Sequence, residues 1–114
     1  MPAQTDQSFG FIEEFKILLL NRANRVIGVL PVSTGGMWGT IPDTRVIFVA
    51  TLKSCTTSII LAHNLPSVNL QPSQSDIDLT NKLKAAGKLL DIEVLDHIIL
   101  AEDTYLSFAD VGKL

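Results

Sequence analysis

Residues 63–76 read HNLPSVNLQPSQSD, and this stretch decides the fold that we predict. It follows a short apolar run at residues 58–62 (SIILA), which we predict as a buried strand, and it leads into the clearest helix of the chain at residues 73–90. One face of that helix is apolar and carries Leu79, Leu83, Ala86 and Leu90. The polar residues of the stretch therefore lie between the end of a strand and the first turn of a helix, where side chains from separate elements can meet in one cleft.

Two apolar segments upstream indicate a β-hairpin. Residues 13–20 (EEFKILLL) are apolar on both faces beyond Lys16, which is typical of a strand in the interior of a sheet. A polar turn separates them from residues 26–32, which we predict as the antiparallel partner. Because Pro31 has no N–H to donate, we expect it at the end of that strand or at a bulge.

The remaining elements complete an α/β order. Residues 44–55 are rich in β-branched residues, as strands are, but their apolar spacing also fits a helix capped by Asp43, which we predict. Residues 94–101 and 105–108 are predicted as two strands joined by a turn. The order is β-β-α-β-α-β-β, in which the hairpins argue against a purely parallel sheet and favour a mixed one.

Composition favours one domain with a large core. The chain has 114 residues, of which 46% are hydrophobic and 18% charged. We expect residues 1–12 to be a flexible N-terminal segment and residues 13–114 to form the domain. So sparse a charged surface leaves room for a protein or peptide partner, or for a homodimer interface.

Charge and motifs disfavour two classes of ligand. The net charge is −3 and no cluster of Lys and Arg stands out, so direct DNA binding is not supported. Three glycines in residues 33–40 (STGGMWGT) indicate a loop, but the lysine and spacing of a phosphate-binding loop are missing.

A cytoplasmic location fits the chain. The single cysteine, Cys55, excludes an internal disulfide, and we expect it to be a small buried hydrophobe. The N-terminus lacks the pattern of a signal peptide. Apolar runs fall far short of the roughly 20 residues of a membrane span, so no membrane contact is expected.

His63, Ser73 and Asp76 are the candidate chemical groups in residues 63–76. Residues two apart on a strand share a face, so positions 63 and 65 can face one cleft, with Asp76 at the start of the following helix. Spacing alone leaves other interpretations open. Ser73-x-x-Asp76 is also typical of a helix capping box, and a lone histidine is more often a hydrogen-bonded core residue than a ligand.

The same residues resemble the motif of the JAB/MPN metallohydrolases, an upstream glutamate followed by His-x-His, seven residues and Ser-x-x-Asp. Here His63 begins the motif, and Ser73 and Asp76 end it without a gap. The RadC-like branch is similar over a longer stretch, because HNLPSV, PSQSD and LDHII stand where that branch has HNHPSG, PS-x-x-D and LDH-I-I. The resemblance runs from about Glu13 to the C-terminus. It implies the JAB/MPN fold, a cytidine-deaminase-like mixed sheet flanked by helices.

The resemblance also implies a zinc site and a reaction. Carried over to this chain, the metal ligands are His63 and Asp76, and Ser73 helps to hold the oxyanion of the tetrahedral intermediate. The general base is Glu13 or Glu14, and the family's E-x-F spacing favours Glu13. The implied reaction is hydrolysis of an amide or isopeptide bond by zinc-activated water, and the family's name implies an association with DNA repair.

Two departures from the family pattern fall in the loop. Leu65 replaces the second histidine, and Val68 replaces the glycine of HPSG. Leucine has no lone pair, so two of three protein ligands remain, and we expect zinc binding and catalysis to be impaired. His97 could supply the missing ligand if it faces the same cleft; alternatively, Asp96 and His97 form a structural hydrogen-bonded pair. A rival hypothesis is a non-catalytic MPN-type interaction module, with an apolar patch at the cleft mouth.

Overall fold

The structure is a computed structural model and describes residues 14–34, 43–64 and 70–114. Within these ranges the elements follow the predicted order and give a mixed α/β fold. They are β1 (Glu14–Leu20), β2 (Val26–Thr34), α1 (Thr44–Lys53), β3 (Ser58–Asn64), α2 (Gln74–Leu89), β4 (Glu93–Leu100) and β5 (Tyr105–Ser107). The predicted N-terminal segment, residues 1–12, lies outside the described residues.

The five strands form one sheet in the order β2-β1-β3-β4-β5. β1 is antiparallel to both β2 and β3, which confirms its predicted place inside the sheet. β3 and β4 are parallel, and β5 returns antiparallel to β4. A parallel pair needs a crossover connection, and α2 provides it between β3 and β4. The start of α2 therefore comes soon after the end of β3, where the candidate residues lie.

Pro31 lies at a bulge on the edge strand, as predicted. Phe15 pairs with Ser33 while Lys16 pairs with Pro31, so Val32 is the extra residue on β2. β2 is hydrogen-bonded to β1 alone among the described strands, and an edge strand tolerates the missing N–H of a proline.

The helices begin and pack largely as predicted. The Asp43 carboxylate accepts a hydrogen bond of 2.9 Å from the Arg45 backbone N–H and so caps α1. On α2, Leu79 and Leu83 are buried and Ala86 is packed against the core. The fourth residue of the predicted stripe, Leu90, lies just past the end of the helix and is exposed.

Cys55 corrects one expectation. It is exposed rather than buried, because it lies in the turn after α1 with a positive φ of 57°. Among the described residues, no helix combines the length and the apolar character needed to cross a membrane.

Candidate metal site

His63 lies near the end of β3 on the face that packs into the core. Ile59 and Leu61 alternate with it on that face and are fully buried, and His63 itself is only 2% exposed. Across the sheet it pairs with Phe15 of β1. The two rings stack at 5.0 Å with an interplanar angle of 6°. The strand pattern and this stacking fix the plane of the His63 imidazole.

A bulge in β4 turns His97 towards the same site. Ile59 pairs with Val94 and Ile60 pairs with Asp96, so Leu95 is an extra residue in the ladder. Without it, Val94 and His97, three apart, would lie on opposite faces; with it, both are buried. Phe108 stacks on the His97 ring at 4.4 Å. Bulges commonly re-aim a side chain in this way.

The capping box predicted at the start of α2 is present. The Ser73 hydroxyl oxygen accepts a 3.1 Å hydrogen bond from the Asp76 backbone N–H, and the Asp76 Oδ2 accepts a 3.0 Å bond from the Ser73 N–H. The box uses only one oxygen of the Asp76 carboxylate. The other, Oδ1, lies 3.6 Å from Nε2 of His63.

A divalent metal fits these two atoms. In a tetrahedral zinc site, ligand atoms about 2.1 Å from the metal lie about 3.4 Å apart, so a separation of 3.6 Å needs only a small adjustment. Imidazole nitrogen and carboxylate oxygen are both ordinary zinc ligands. Their side chains are 1% and 15% exposed, which keeps most water from competing.

His97 joins the two in a group that could hold a metal ion. Ligand atoms of His63, Asp76 and His97 all lie within 4.8 Å of one another. The His97 ring nitrogens, however, already have protein partners. Nε2 lies 3.0 Å from Nδ1 of His63, and Nδ1 lies 2.7 Å from the Thr80 hydroxyl oxygen.

Burial keeps His97 neutral. The apolar surroundings lower the pKa of His97 to about 4, and the neighbouring His63 lowers it as well. Asp76 and Asp96 act in the opposite direction, with less effect than burial. At neutral pH the His97 ring therefore carries one hydrogen, so one of its nitrogens donates and the other accepts.

Asp96 forms structural hydrogen bonds, which is one of the two alternatives given above for Asp96 and His97. One carboxylate oxygen accepts hydrogen bonds from the backbone N–H groups of His97, at 2.8 Å, and of Ala109, at 3.0 Å. The other accepts from the Ser107 hydroxyl at 2.6 Å. Asp96 thus ties β4 to the C-terminal turn that holds Phe108 against His97.

The structure brings together His63, Asp76 and Ser73 of the predicted set. The assignment of His63 and Asp76 as ligands, and of Ser73 as a catalytic group, stays a prediction. Glu13, Leu65 and Val68 lie outside the described residues. The alternative base, Glu14, is exposed on β1, and its backbone N–H donates to the side-chain oxygen of Asn64 at 2.6 Å.

Thr80 is a residue that the sequence analysis missed. It is fully buried, and its hydroxyl lies between His97 and the backbone carbonyl of Asp76. The spacing carried a signal, because position 80 is four residues after Asp76 and thus on the same face of the helix. A buried threonine on the helix face beneath a predicted ligand is a candidate partner for the site.

Comparison with known proteins supports the family. The model of the family described as "RadC-like JAB domain" matches residues 2–113. A UPF0758 protein of Flavobacterium johnsoniae is 48% identical over 100 residues, covering 88% of this chain and 44% of the relative. UPF0758 proteins of Pelobacter propionicus and Alkaliphilus metalliredigens are 42% and 44% identical over 102 residues, each covering 90% of this chain and 44% of the relative. The chain spans less than half the length of these curated relatives.

Proposed function

Because the chain belongs to the RadC-like JAB domain family, we propose that it is a zinc-dependent hydrolase domain whose metal would be held by His63 and Asp76 and whose activity Leu65 weakens. The observation that carries the proposal is the 3.6 Å separation between Nε2 of His63 and Oδ1 of Asp76 in a largely buried setting. The substrate class is the amide or isopeptide bond, which the family resemblance implies.

Each of the candidate residues has a separate role in the proposed hydrolysis. His63 and Asp76 would hold the metal, and Asp76 is kept in place because its second oxygen is bound in the capping box. The Ser73 oxygen accepts from a backbone N–H, so its hydroxyl hydrogen remains to stabilise negative charge on a substrate oxygen. When bound, zinc supplies a Lewis acid and lowers the pKa of its water. Glu13, directly before β1 in the sequence, is the proposed general base.

Leu65 limits the zinc affinity and the hydrolytic rate that we expect. Catalytic zinc sites have three protein ligands and an open position, and Leu65 stands where the family has its second histidine. Removing a residue that merely supports a ligand costs about 10- to 100-fold in metal affinity. Losing a ligand costs more, so we expect low zinc occupancy and slow hydrolysis.

Hydrolysis of a library of fluorogenic peptide amides and isopeptide-linked lysines tests the proposal. Four proteins are compared with added zinc: the chain itself, Leu65→His, Leu65→Gln and the double variant Leu65→His/Asp76→Asn. We expect Leu65→His alone to gain zinc-dependent cleavage, because glutamine adds polarity without a good zinc ligand. A zinc-loaded Leu65→His protein that cleaves nothing in the library contradicts the hydrolase assignment.

A second candidate function is a non-catalytic interaction module. Val46, Val49 and Leu52 recur every three residues on α1 and are more than half exposed. Val26 and Val29 on the edge strand β2 are exposed to a similar extent. Sedimentation of the chain and of Val49→Lys over a range of concentrations tests for self-association; a monomer at all concentrations contradicts a homodimer through this helix.

A further inference from the structure

The hydroxyl of Thr80 decides how hydrogens are arranged around the candidate metal site. It lies 2.8 Å from the Asp76 backbone carbonyl oxygen and 2.7 Å from Nδ1 of His97. A hydroxyl has one hydrogen to donate. The carbonyl can only accept, so the Thr80 hydrogen must point at Asp76, since two oxygens 2.8 Å apart with no hydrogen between them would repel each other.

The arrangement then propagates to His63. Because the Thr80 hydrogen is used, Nδ1 of His97 carries the ring hydrogen and donates it to the Thr80 oxygen. Nε2 of His97 is then a lone pair, and it accepts across 3.0 Å from Nδ1 of His63. Nδ1 of His63 therefore carries a hydrogen, and in the neutral ring Nε2 then has the lone pair, on the side of Asp76.

We infer that Thr80 and His97 are positioning residues, which together hold the His63 imidazole in the Nδ1–H tautomer with Nε2 ready to bind a metal. The purpose of this arrangement, metal binding, rests on the proposed function, whereas the tautomers can be measured without any metal. A histidine ligates metal through an unprotonated nitrogen, and its other nitrogen usually donates to a partner that fixes the ring. Here the partner is a second imidazole, which is itself fixed by a threonine.

The opposite arrangement has a clear consequence. If His97 donated from Nε2, then His63 would accept at Nδ1 and carry its hydrogen on Nε2, facing the Asp76 carboxylate. Such a hydrogen would have to leave before a metal could bind. The direction of the relay from His63 through His97 and Thr80 to the Asp76 carbonyl thus determines whether the site is prepared for a cation.

NMR of the metal-free protein reads the tautomers directly. The chain has two histidines, so a ring-¹⁵N-labelled sample gives two sets of long-range ¹H–¹⁵N correlations, which distinguish protonated from unprotonated ring nitrogens. We expect both rings as Nδ1–H tautomers at neutral pH. An Nε2–H tautomer at His63 in the native chain overturns the inference whether or not zinc binds. The expected tautomers, together with no zinc binding by Leu65→His, overturn only the proposed function.

Substitution of Thr80 tests whether its hydroxyl determines the tautomers of His97 and His63. Thr80→Val keeps the shape and removes the acceptor, so we expect His97 to switch to Nε2–H, His63 to follow, and zinc affinity to fall by about 10- to 100-fold. Thr80→Ser restores the hydroxyl and should restore both readouts. Thr51→Val is the matched control, because Thr51 is also fully buried in a helix and donates to a backbone carbonyl, that of Phe48, at 2.9 Å.

Two results of this series contradict the relay. One is a Thr80→Val protein in which His63 keeps the Nδ1–H tautomer. The other is a Thr51→Val protein that shows the same tautomer change as Thr80→Val, since a general loosening of the fold would then be the cause. If Thr80→Val does not fold, Thr80→Ala provides the same loss of acceptor with less crowding, and the same two results apply.

Discussion

Nδ1 of His63 and Nε2 of His97 lie 3.0 Å apart, although 34 residues separate them in the sequence. The two histidines come from neighbouring parallel strands, and the extra residue in β4 lets both face the core. From His97 the hydrogen-bonded chain continues through the Thr80 hydroxyl to the Asp76 carbonyl oxygen. His63 and Asp76 are therefore connected twice, once through this chain and once where Nε2 of His63 lies 3.6 Å from Oδ1 of Asp76. The site is thereby organised before any metal binds.

Mutation should separate the capping role of Asp76 from its proposed metal-binding role. Asp76→Asn keeps a side-chain oxygen for the cap but loses the charge that attracts a cation, so we expect zinc binding to be lost with a small change in stability. Ser73→Ala should lower the free energy of unfolding by about 1 kcal/mol, as removal of an N-cap usually does, and leave zinc affinity within a few-fold. Chemical unfolding and zinc titration of both variants check this. Native zinc affinity in Asp76→Asn would remove Asp76 from the site.

The His97 ring should be partly replaceable by an amide. His97→Gln offers a carbonyl oxygen to the His63 N–H, whereas His97→Phe fills the space beside Phe108 and offers no acceptor. We expect His97→Phe to be the less stable by about 1–3 kcal/mol, because a buried donor loses its partner, and also the weaker zinc binder. Unfolding curves and zinc titrations of the pair are the measurement. Equal values for the two variants would show that a hydrogen-bond acceptor at position 97 does not matter.

Acid should destabilise the metal-free protein through His97. The folded pKa is about 4 and the ordinary value is 6.5, so the unfolded chain takes up a proton at a higher pH than the folded one. The stability contribution is therefore complete above pH 6.5 and is lost as the pH falls from 6.5 towards 4, by at most about 3 kcal/mol. Urea unfolding over this pH range, with a chelator present, measures the loss. His97→Gln should show a flatter profile, and an unchanged slope in that variant would exclude His97 as the source.

Gly87 should resist a substitution that normally stabilises helices. Alanine in place of glycine usually gains about 1 kcal/mol in a helix, but a methyl group on Gly87 would overlap the backbone carbonyl oxygen of Ile92. We expect Gly87→Ala to lower the free energy of unfolding by about 1–3 kcal/mol. Gly28→Ala is the control, because a methyl group there makes an ordinary contact with Leu19. A Gly87→Ala protein that is more stable than the native chain would mean that the turn after α2 can shift freely.

Much of the fold was predictable because local patterns and global topology agree. The apolar run of β1, the cap at Asp43 and the capping box at Ser73 each depend on neighbouring residues alone, and each was predicted. The exposed Cys55 was not, because its positive φ arises from how the turn after α1 is closed. Composition carries no trace of such a turn.

The site was predictable in part for the same reason. The spacing from His63 to Asp76 predicts a strand end facing a helix start, and the structure has both. The role of His97 depends on the bulge at Leu95, and regular alternation along β4 would have turned His97 away from Val94. Thr80 depends on the packing of α2 against β4. Contacts between elements distant in sequence leave no local pattern, so they appear only in three dimensions.

Zinc content tests the central claim most directly. The chain and Leu65→His are loaded with zinc, freed of loosely bound metal by gel filtration, and analysed for zinc per chain by elemental analysis. With two ligands in place of three, the native chain should retain far less than one zinc, and Leu65→His should retain about one. One tightly held zinc in the native chain would mean that another group, such as His97, completes the site. Zinc absent from both proteins would contradict the metal site itself and favour the interaction module.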